Sequence, residues 1–389
     1  MSEKREIPFA KVLIGENERK YLKEVLDSGW LTTAGKTLEF EKRFADFVGA
    51  KYACAVNSCT AALHLGVEAI GIKPGDNVFV PTMTFTASAE IINYMQAHPV
   101  FLDVEYQTNL ISPEILREAI KKHPDVKHLV LVHYGGQAAQ LNTIMEVCRQ
   151  NNIKIIEDAA HALPAKHEGK MIGSFGNIAC YSFYANKTIT TGEGGMLTTN
   201  DEEIYKRVKT MRLHGISKDI WDRFTAKVPS WEYDVVEAGY KYNMPDICAA
   251  IGLGQLEQAE LFRKERQNAV EFYLRNLADV ECLDLPVSNV PMEDHAWHIF
   301  PVVLNEKAGI SRNSLINKMA EQGIGTSVHY KPLHRMTYYK NKYQLDPQDF
   351  PNAEKTWKGN LSLPLYPFMK NDDLDYICNT VKNLIKKQE

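Results

Sequence analysis

From about residue 51 to residue 200, short apolar runs rich in β-branched and aromatic residues alternate with segments whose apolar residues recur at helical spacing. The runs 52–56, 77–80, 100–104, 128–133, 153–157, 178–183 and 196–199 are predicted to be strands. The stretches 60–69, 87–96, 113–122 and 141–151 between them are predicted to be amphipathic helices. Strands joined by helical crossovers pair in parallel under helices on both faces, and ligands of such sheets bind beyond the strands' carboxyl ends. The expected fold class is therefore α/β, with a large, mostly parallel sheet in α/β/α layers. After residue 200 the strand rhythm stops. A long helical pattern begins near Pro245, small and apolar through Gln255 and charged beyond Glu257, and is expected to bridge two lobes. Short strands at 298–303 and 325–329 and helices at 311–322 and 373–386 predict a smaller α+β unit. A chain of 389 residues suits that division, with a large domain over 1–255 and a small C-terminal domain over 256–389. No repeat of fixed period and no low-complexity tract is present in the sequence.

Composition narrows the function classes. Hydrophobic residues make up 44% and charged residues 24%, and the net charge of -4 provides no basic footprint for nucleic acid. No apolar run approaches the roughly 18 residues of a membrane-spanning helix, and the start of the chain lacks the apolar core of a signal peptide, so a cytoplasmic protein is expected. The seven cysteines are scattered without CxxC spacing, which predicts neither disulfides nor a zinc site. His295 and His298 form an HxxH; on a strand their rings would face opposite ways, so both are taken as structural and no metal is expected.

The candidate chemistry gathers at predicted strand ends. Lys187 follows the run 178–183 in a small, polar and Gly-rich stretch, and Asp158 follows the run 153–157, with His161 three residues on. A lysine after a strand is usually a solvated surface residue and an aspartate there a turn former; it is the convergence of both that points to chemistry. An amine and a carboxylate so placed suit pyridoxal phosphate, which needs the amine to hold its aldehyde and the carboxylate to keep its ring nitrogen protonated. Ser58, Cys59 and Thr60 open the first predicted helix, where free backbone N–H groups and the helix's positive end attract phosphate, although Ser and Thr also start helices merely as caps. Phe85 sits just past the run 77–80, as an aromatic face for a flat ring or as a core residue. The Gly192 to Gly195 stretch fits neither a Walker loop nor GxGxxG.

Taken together, Ser28-Gly29-Trp30-Leu31-Thr32-Thr33, Ser58-Cys59-Thr60, the stretch from Pro81 to Phe85, that from Glu157 to His161, Ser182 to Lys187 with Gly192 to Gly195, Gly239 to Met244, Val328-His329-Tyr330 and Leu363-Pro364 resemble the DegT family of pyridoxal-phosphate sugar aminotransferases, with the fold-type I architecture. The resemblance implies Lys187 as the cofactor-binding lysine and Asp158 as the partner of the pyridinium nitrogen. It implies His161 on the ring's phenolic oxygen, Phe85 stacked on the ring, and Ser58, Cys59, Thr60 and Ser182 around the phosphate. It further implies a homodimer with shared active sites, in which a residue of the partner subunit reaches the phosphate; the family's Asn at that position is Lys241 here, and the Arg two residues on is Asn243. His329 and Tyr330 resemble residues facing the nucleotide diphosphate of the sugar. Arg212 and His214 match the family pattern without a derivable role.

The function so implied is amino transfer from an amino acid, L-glutamate in the family, to C4 of a nucleotide-linked 4-keto-6-deoxyhexose, for polysaccharide biosynthesis. C3 amination, a keto-sugar dehydratase and a non-catalytic sensor on the same scaffold stand as alternatives. Lys187 argues against the dehydratase, since the dehydratases compared carry His at that position.

Overall fold

A computed structural model describes residues 5–216 and 233–385. Its centre is a seven-stranded sheet of β1 (Tyr52–Val56), β2 (Asn77–Pro81), β3 (His98–Leu102), β4 (His128–Val132), β5 (Lys154–Asp158), β8 (Ile178–Ser182) and β9 (Gly195–Thr199), in the order β1-β9-β8-β5-β4-β2-β3. The pairs β2–β3, β2–β4, β4–β5 and β5–β8 are parallel, and β9 runs antiparallel to both its neighbours. The mostly parallel α/β expectation is borne out. Between β5 and β8 lies a small hairpin, β6 (Lys166–His167) with β7 (Lys170–Met171).

The strands read as unbroken apolar runs because both faces of the sheet are covered. Leu129, Leu131, Ile155, Ala179 and Tyr181 enter one core cluster, while Val130, Ile156, Ile178 and Cys180, alternating with them, enter the other. A third cluster, including Tyr273, Leu277, Phe300, Val302 and Leu361, fills the C-terminal region around the antiparallel sheet of β10 (Leu283–Asp284), β11 (Phe300–Leu304) and β12 (Asn360–Leu363). The helical pattern after Pro245 is two helices, Asp246–Leu256 and Ala259–Leu277, and the second places Phe262 in the first cluster and Tyr273 in the third.

Three features depart from the sequence reading. Helices α1 (Glu16–Ser28) and α2 (Gly35–Val48) precede the sheet, and α2 lacks a local cap. Its free amides are met from a distance, by the buried Asp246 carboxylate, which accepts from the N–H groups of Ala34 at 2.7 Å, Lys36 at 3.0 Å and Thr37 at 2.9 Å. The run 325–329 is no strand: it forms only a single bridge, Ser327 to Ser362, and the His329 carbonyl accepts instead from Tyr134 Oη and Asn360 Nδ2. Finally, the strand expected from residue 298 begins at Phe300, because His298 N–H donates to the Gly135 carbonyl and its own carbonyl accepts from Arg266. Arg212 is buried against Glu41 and the Ala55 carbonyl, a packing role, whereas His214 is exposed at positive φ. Among the described residues no helix is long and apolar enough to cross a membrane, and no cluster of side chains is suited to hold a metal.

Candidate active site

At the carboxyl ends of the parallel strands lies a cavity of about 380 Å³ whose wall includes Ser58, Cys59, Thr60, Phe85, Asp158, His161, Ser182, Lys187, His329 and Tyr330. Each of these was singled out in the sequence. Lys241 is exposed and does not line the cavity of its own chain; its backbone bridges Leu213, and its carbonyl accepts from Asn57 Nδ2 at 3.4 Å. Asn243 hydrogen-bonds Thr33 Oγ1 at 2.6 Å.

Lys187 is not on the strand end but in the loop after β8, which Phe183 closes. The Phe183 N–H donates to the Gly194 carbonyl, and its own carbonyl accepts from Thr191 N–H and Thr190 Oγ1. Turned inward by this loop, the amine has no hydrogen-bond or ion-pair partner among the described residues. Burial lowers its pKa to about 8, against the opposing pull of the Asp158 charge. About a tenth of the amine is then neutral at pH 7, several hundredfold more than for an ordinary lysine. Cys59, by contrast, stays a thiol, since burial and the Asp158 charge push its pKa well up. The amine is the nucleophile of the cavity.

Asp158 ends β5, buried, and is held as an acceptor by two donors, Ser88 Oγ at 2.6 Å and Ala160 N–H at 3.1 Å. Ser88 has one hydroxyl proton and gives it to Asp158, so Thr84 donates to Ser88 across their 2.7 Å contact. Thr84 and Ser88 went unnoticed in the sequence, though their spacing of four on the turn and helix after β2 is a signal that they share a face.

The helix α3 (Cys59–Ala69) points its N-terminus at the cavity. Ser58 caps it, its Oγ accepting from Ala61 N–H at 3.1 Å, which leaves the Cys59 and Thr60 amides without acceptors among the described residues. The start of β9 presses on this turn so closely that a Cβ on Gly195 would lie 2.6 Å from Cys59 N. Phe85, 57% exposed, presents its ring at the mouth, 6.0 Å from the Tyr330 ring.

The opposite wall carries aromatic and imidazole rings. Gly135 N–H donates to His161 Nδ1 at 3.3 Å, so the single proton of this ring sits on Nε2 and is donated to Tyr330 Oη at 2.9 Å. His161 is neutral, because burial and the nearby Lys187 and His329 push its pKa well down. The Tyr330 hydroxyl, accepting from His161, keeps its own proton for an acceptor in the cavity. His329 Nδ1 pairs with Ser362 Oγ at 2.9 Å, and burial together with Lys187 lowers its pKa to about 3. Behind this wall His133 and Glu157 form a fully buried pair at 2.9 Å. His298 also lines the cavity, its ring 4.4 Å from that of His161, and the strand geometry on which the HxxH reading rested does not hold there. The segment 295–299 is not a strand, so strand alternation does not apply to it.

The profile of the DegT/DnrJ/EryC1/StrS aminotransferase family matches residues 12–382. The chain belongs to this family. It is 42% identical over 382 residues to the spore coat polysaccharide biosynthesis protein SpsC of Bacillus subtilis, covering 98% of this chain and 97% of SpsC. Among solved structures it is similar to Spr1654 of Streptococcus pneumoniae, named as a candidate sugar aminotransferase and solved in a pyridoxamine-phosphate form, with a TM-score of 0.90, 32% identity, and coverage of 98% of this chain and 99% of that one. It also resembles PseC of Helicobacter pylori, an aminotransferase involved in the biosynthesis of pseudoaminic acid, with a TM-score of 0.91, 25% identity, and coverage of 98% of this chain and all of PseC. This DegT-type chain is an aminotransferase, and the cofactor of its family is pyridoxal 5'-phosphate.

The DegT-type cavity fits that group. It offers a free amine, a buried carboxylate, two unpaired amides at a helix N-terminus and an open aromatic face. Two buried polar atoms of its lining residues, Asn186 Oδ1 and His298 Nδ1, lack partners among the described residues. Sites shaped for a ligand leave such groups unpaired until it binds.

Proposed function

We propose that this chain moves an amino group from an amino acid, L-glutamate, to C4 of a nucleotide-linked 4-keto-6-deoxyhexose. The observation that carries the reading is one cavity wall holding both a largely desolvated lysine amine and a buried carboxylate, in a chain of a sugar-aminotransferase family. The names of SpsC and PseC, one in polysaccharide and one in pseudoaminic acid biosynthesis, support a sugar as acceptor. In this reading the Cys59 and Thr60 amides, with the Ser58, Thr60 and Ser182 side chains, hold the cofactor phosphate, and Phe85 covers the ring.

When bound, pyridoxal phosphate supplies an electron sink that loosens the proton on the Cα of the amino donor. Lys187 would hold the cofactor's aldehyde and, once freed as an amine, would serve as the base that moves the donor's Cα proton. Asp158, held in place as an acceptor by Ser88 and Ala160, would face the ring nitrogen and favour its protonated form. Tyr330, held by His161, presents its hydroxyl proton to a ligand oxygen. His329 and Tyr330, both on the cavity wall, would meet the sugar nucleotide. Lys241, exposed and outside the lining of its own cavity, would serve a neighbour's in a homodimer with shared sites; full activity of a dilute monomer contradicts that.

Glutamate offered with a panel of nucleotide-linked keto-sugars tests the reading, the position of new nitrogen being found by NMR. Nitrogen at C4 is expected. Nitrogen at C3, or a deoxygenated sugar without nitrogen, contradicts it. The acid limb gives a further prediction. The rate at which cofactor-free protein captures pyridoxal phosphate rises toward tenfold per pH unit below the Lys187 pKa and levels above about 8. A rate still climbing steeply at about pH 9.5 marks an ordinary lysine instead.

A further inference from the structure

His298 is buried, and neither of its ring nitrogens has a hydrogen-bond partner among the described residues. Nδ1 is moreover sealed from solvent. Its backbone is held firmly: the N–H donates to Gly135 O at 3.1 Å, and the carbonyl accepts from Arg266 Nη1 at 3.1 Å. Arg266 is itself buried and donates to Leu365 O at 2.9 Å, so this cation is spent on carbonyls that fix the His298 segment. On the other side Gly136, at φ +107°, leaves no room for a side chain; a Cβ there would lie 2.9 Å from His161 O and 3.0 Å from His298 N. The chain thus invests a glycine and a buried arginine in placing a ring that it then leaves unpaired beside the cavity.

A neutral imidazole has one proton. On sealed Nδ1 it would be a buried N–H without an acceptor, the costlier kind of orphan; on Nε2 it leaves Nδ1 with only an unused lone pair. Burial, with His161, Lys187, Arg266 and His329 close by, keeps the ring neutral. We infer that His298 is a ligand-binding residue, a neutral N–H donor presented from Nε2 to an oxygen acceptor of the bound ligand. This rests on the aminotransferase reading above. The acceptor is the phenolic oxygen of the cofactor or a carbonyl or hydroxyl oxygen of the keto-sugar.

The test compares His298→Leu with the wild type in three measurements: thermal midpoint of the cofactor-free protein, pyridoxal phosphate affinity by absorbance titration, and KM for the keto-sugar. Removing an unpaired polar group keeps or raises the midpoint of the cofactor-free protein. One of the two affinities weakens by about tenfold, the loss of one hydrogen bond. A weaker cofactor affinity assigns the acceptor to the phenolic oxygen; an unchanged cofactor affinity with a raised KM assigns it to the sugar. The two affinities decide: if neither changes, His298 is structural and the inference fails, whatever the midpoint does. Should the leucine variant not fold, His298→Asn, whose shorter amide cannot reach as far, is judged on the same two affinities. A wild type that binds no cofactor sinks the underlying reading instead, while a wild type that binds and variants that match it sink only the role of His298.

Discussion

Lys187→Ala is expected to lose turnover by roughly 10³-fold or more while keeping its fold, since a positioned acid–base group alone contributes up to roughly 10⁴-fold. The side chain lies in a loop closed by Phe183 backbone contacts rather than by the lysine, so its removal takes away no hydrogen bond or ion pair among the described residues. It also removes a buried amine whose charged form burial disfavours, so the cofactor-free variant is expected to be at least as stable as the parent below about pH 8. The sign follows from the lowered pKa. Below the folded value both states bind the proton and the folded one suffers the desolvation; that penalty fades as pH rises through 8 toward the unfolded value. Steady-state kinetics and a thermal melt at about pH 7 check both halves. Near-native turnover contradicts the assignment of Lys187.

Asp158→Asn is expected to lower kcat by roughly 10²- to 10³-fold, the scale of removing one preorganised electrostatic contact in a water-poor site. The amide is nearly the same size and its oxygen still accepts from Ser88 or Ala160, so the fold survives. What disappears is the negative charge that would favour a proton on the cofactor's ring nitrogen. The loss is expected in both half-reactions, with donor and with keto-sugar, because both need the same electron sink. Single-turnover absorbance of each half-reaction separates this from a loss of substrate binding, which raises KM at unchanged kcat. A fully active variant removes the electron-sink role.

The strands were legible because a sheet covered on both faces makes every position apolar, and the ends of those strands located Asp158 and the loop of Lys187. Ser58 was legible as a helix start because its cap is local. By contrast, α2 was invisible as a capped helix, since its cap is Asp246, more than 200 residues along the chain. The strand start at His298 was misplaced for the same reason in reverse: its neighbourhood looks like a strand in sequence, but the Gly135-Gly136 turn and Arg266 take its backbone groups, and these contacts exist only once the two sheets pack. The Thr84–Ser88–Asp158 chain joins residues from two strand ends, so only its first link was within reach of local spacing. The residue at Lys241 is the reverse case, conspicuous in the sequence by its motif yet outside the cavity of its own chain.

The most direct measurement is borohydride reduction of the cofactor-loaded protein, followed by proteolysis and mass spectrometry of the peptides. A single reduced pyridoxyl group on Lys187 is the expected result. The same group on another lysine, or on none, contradicts the account.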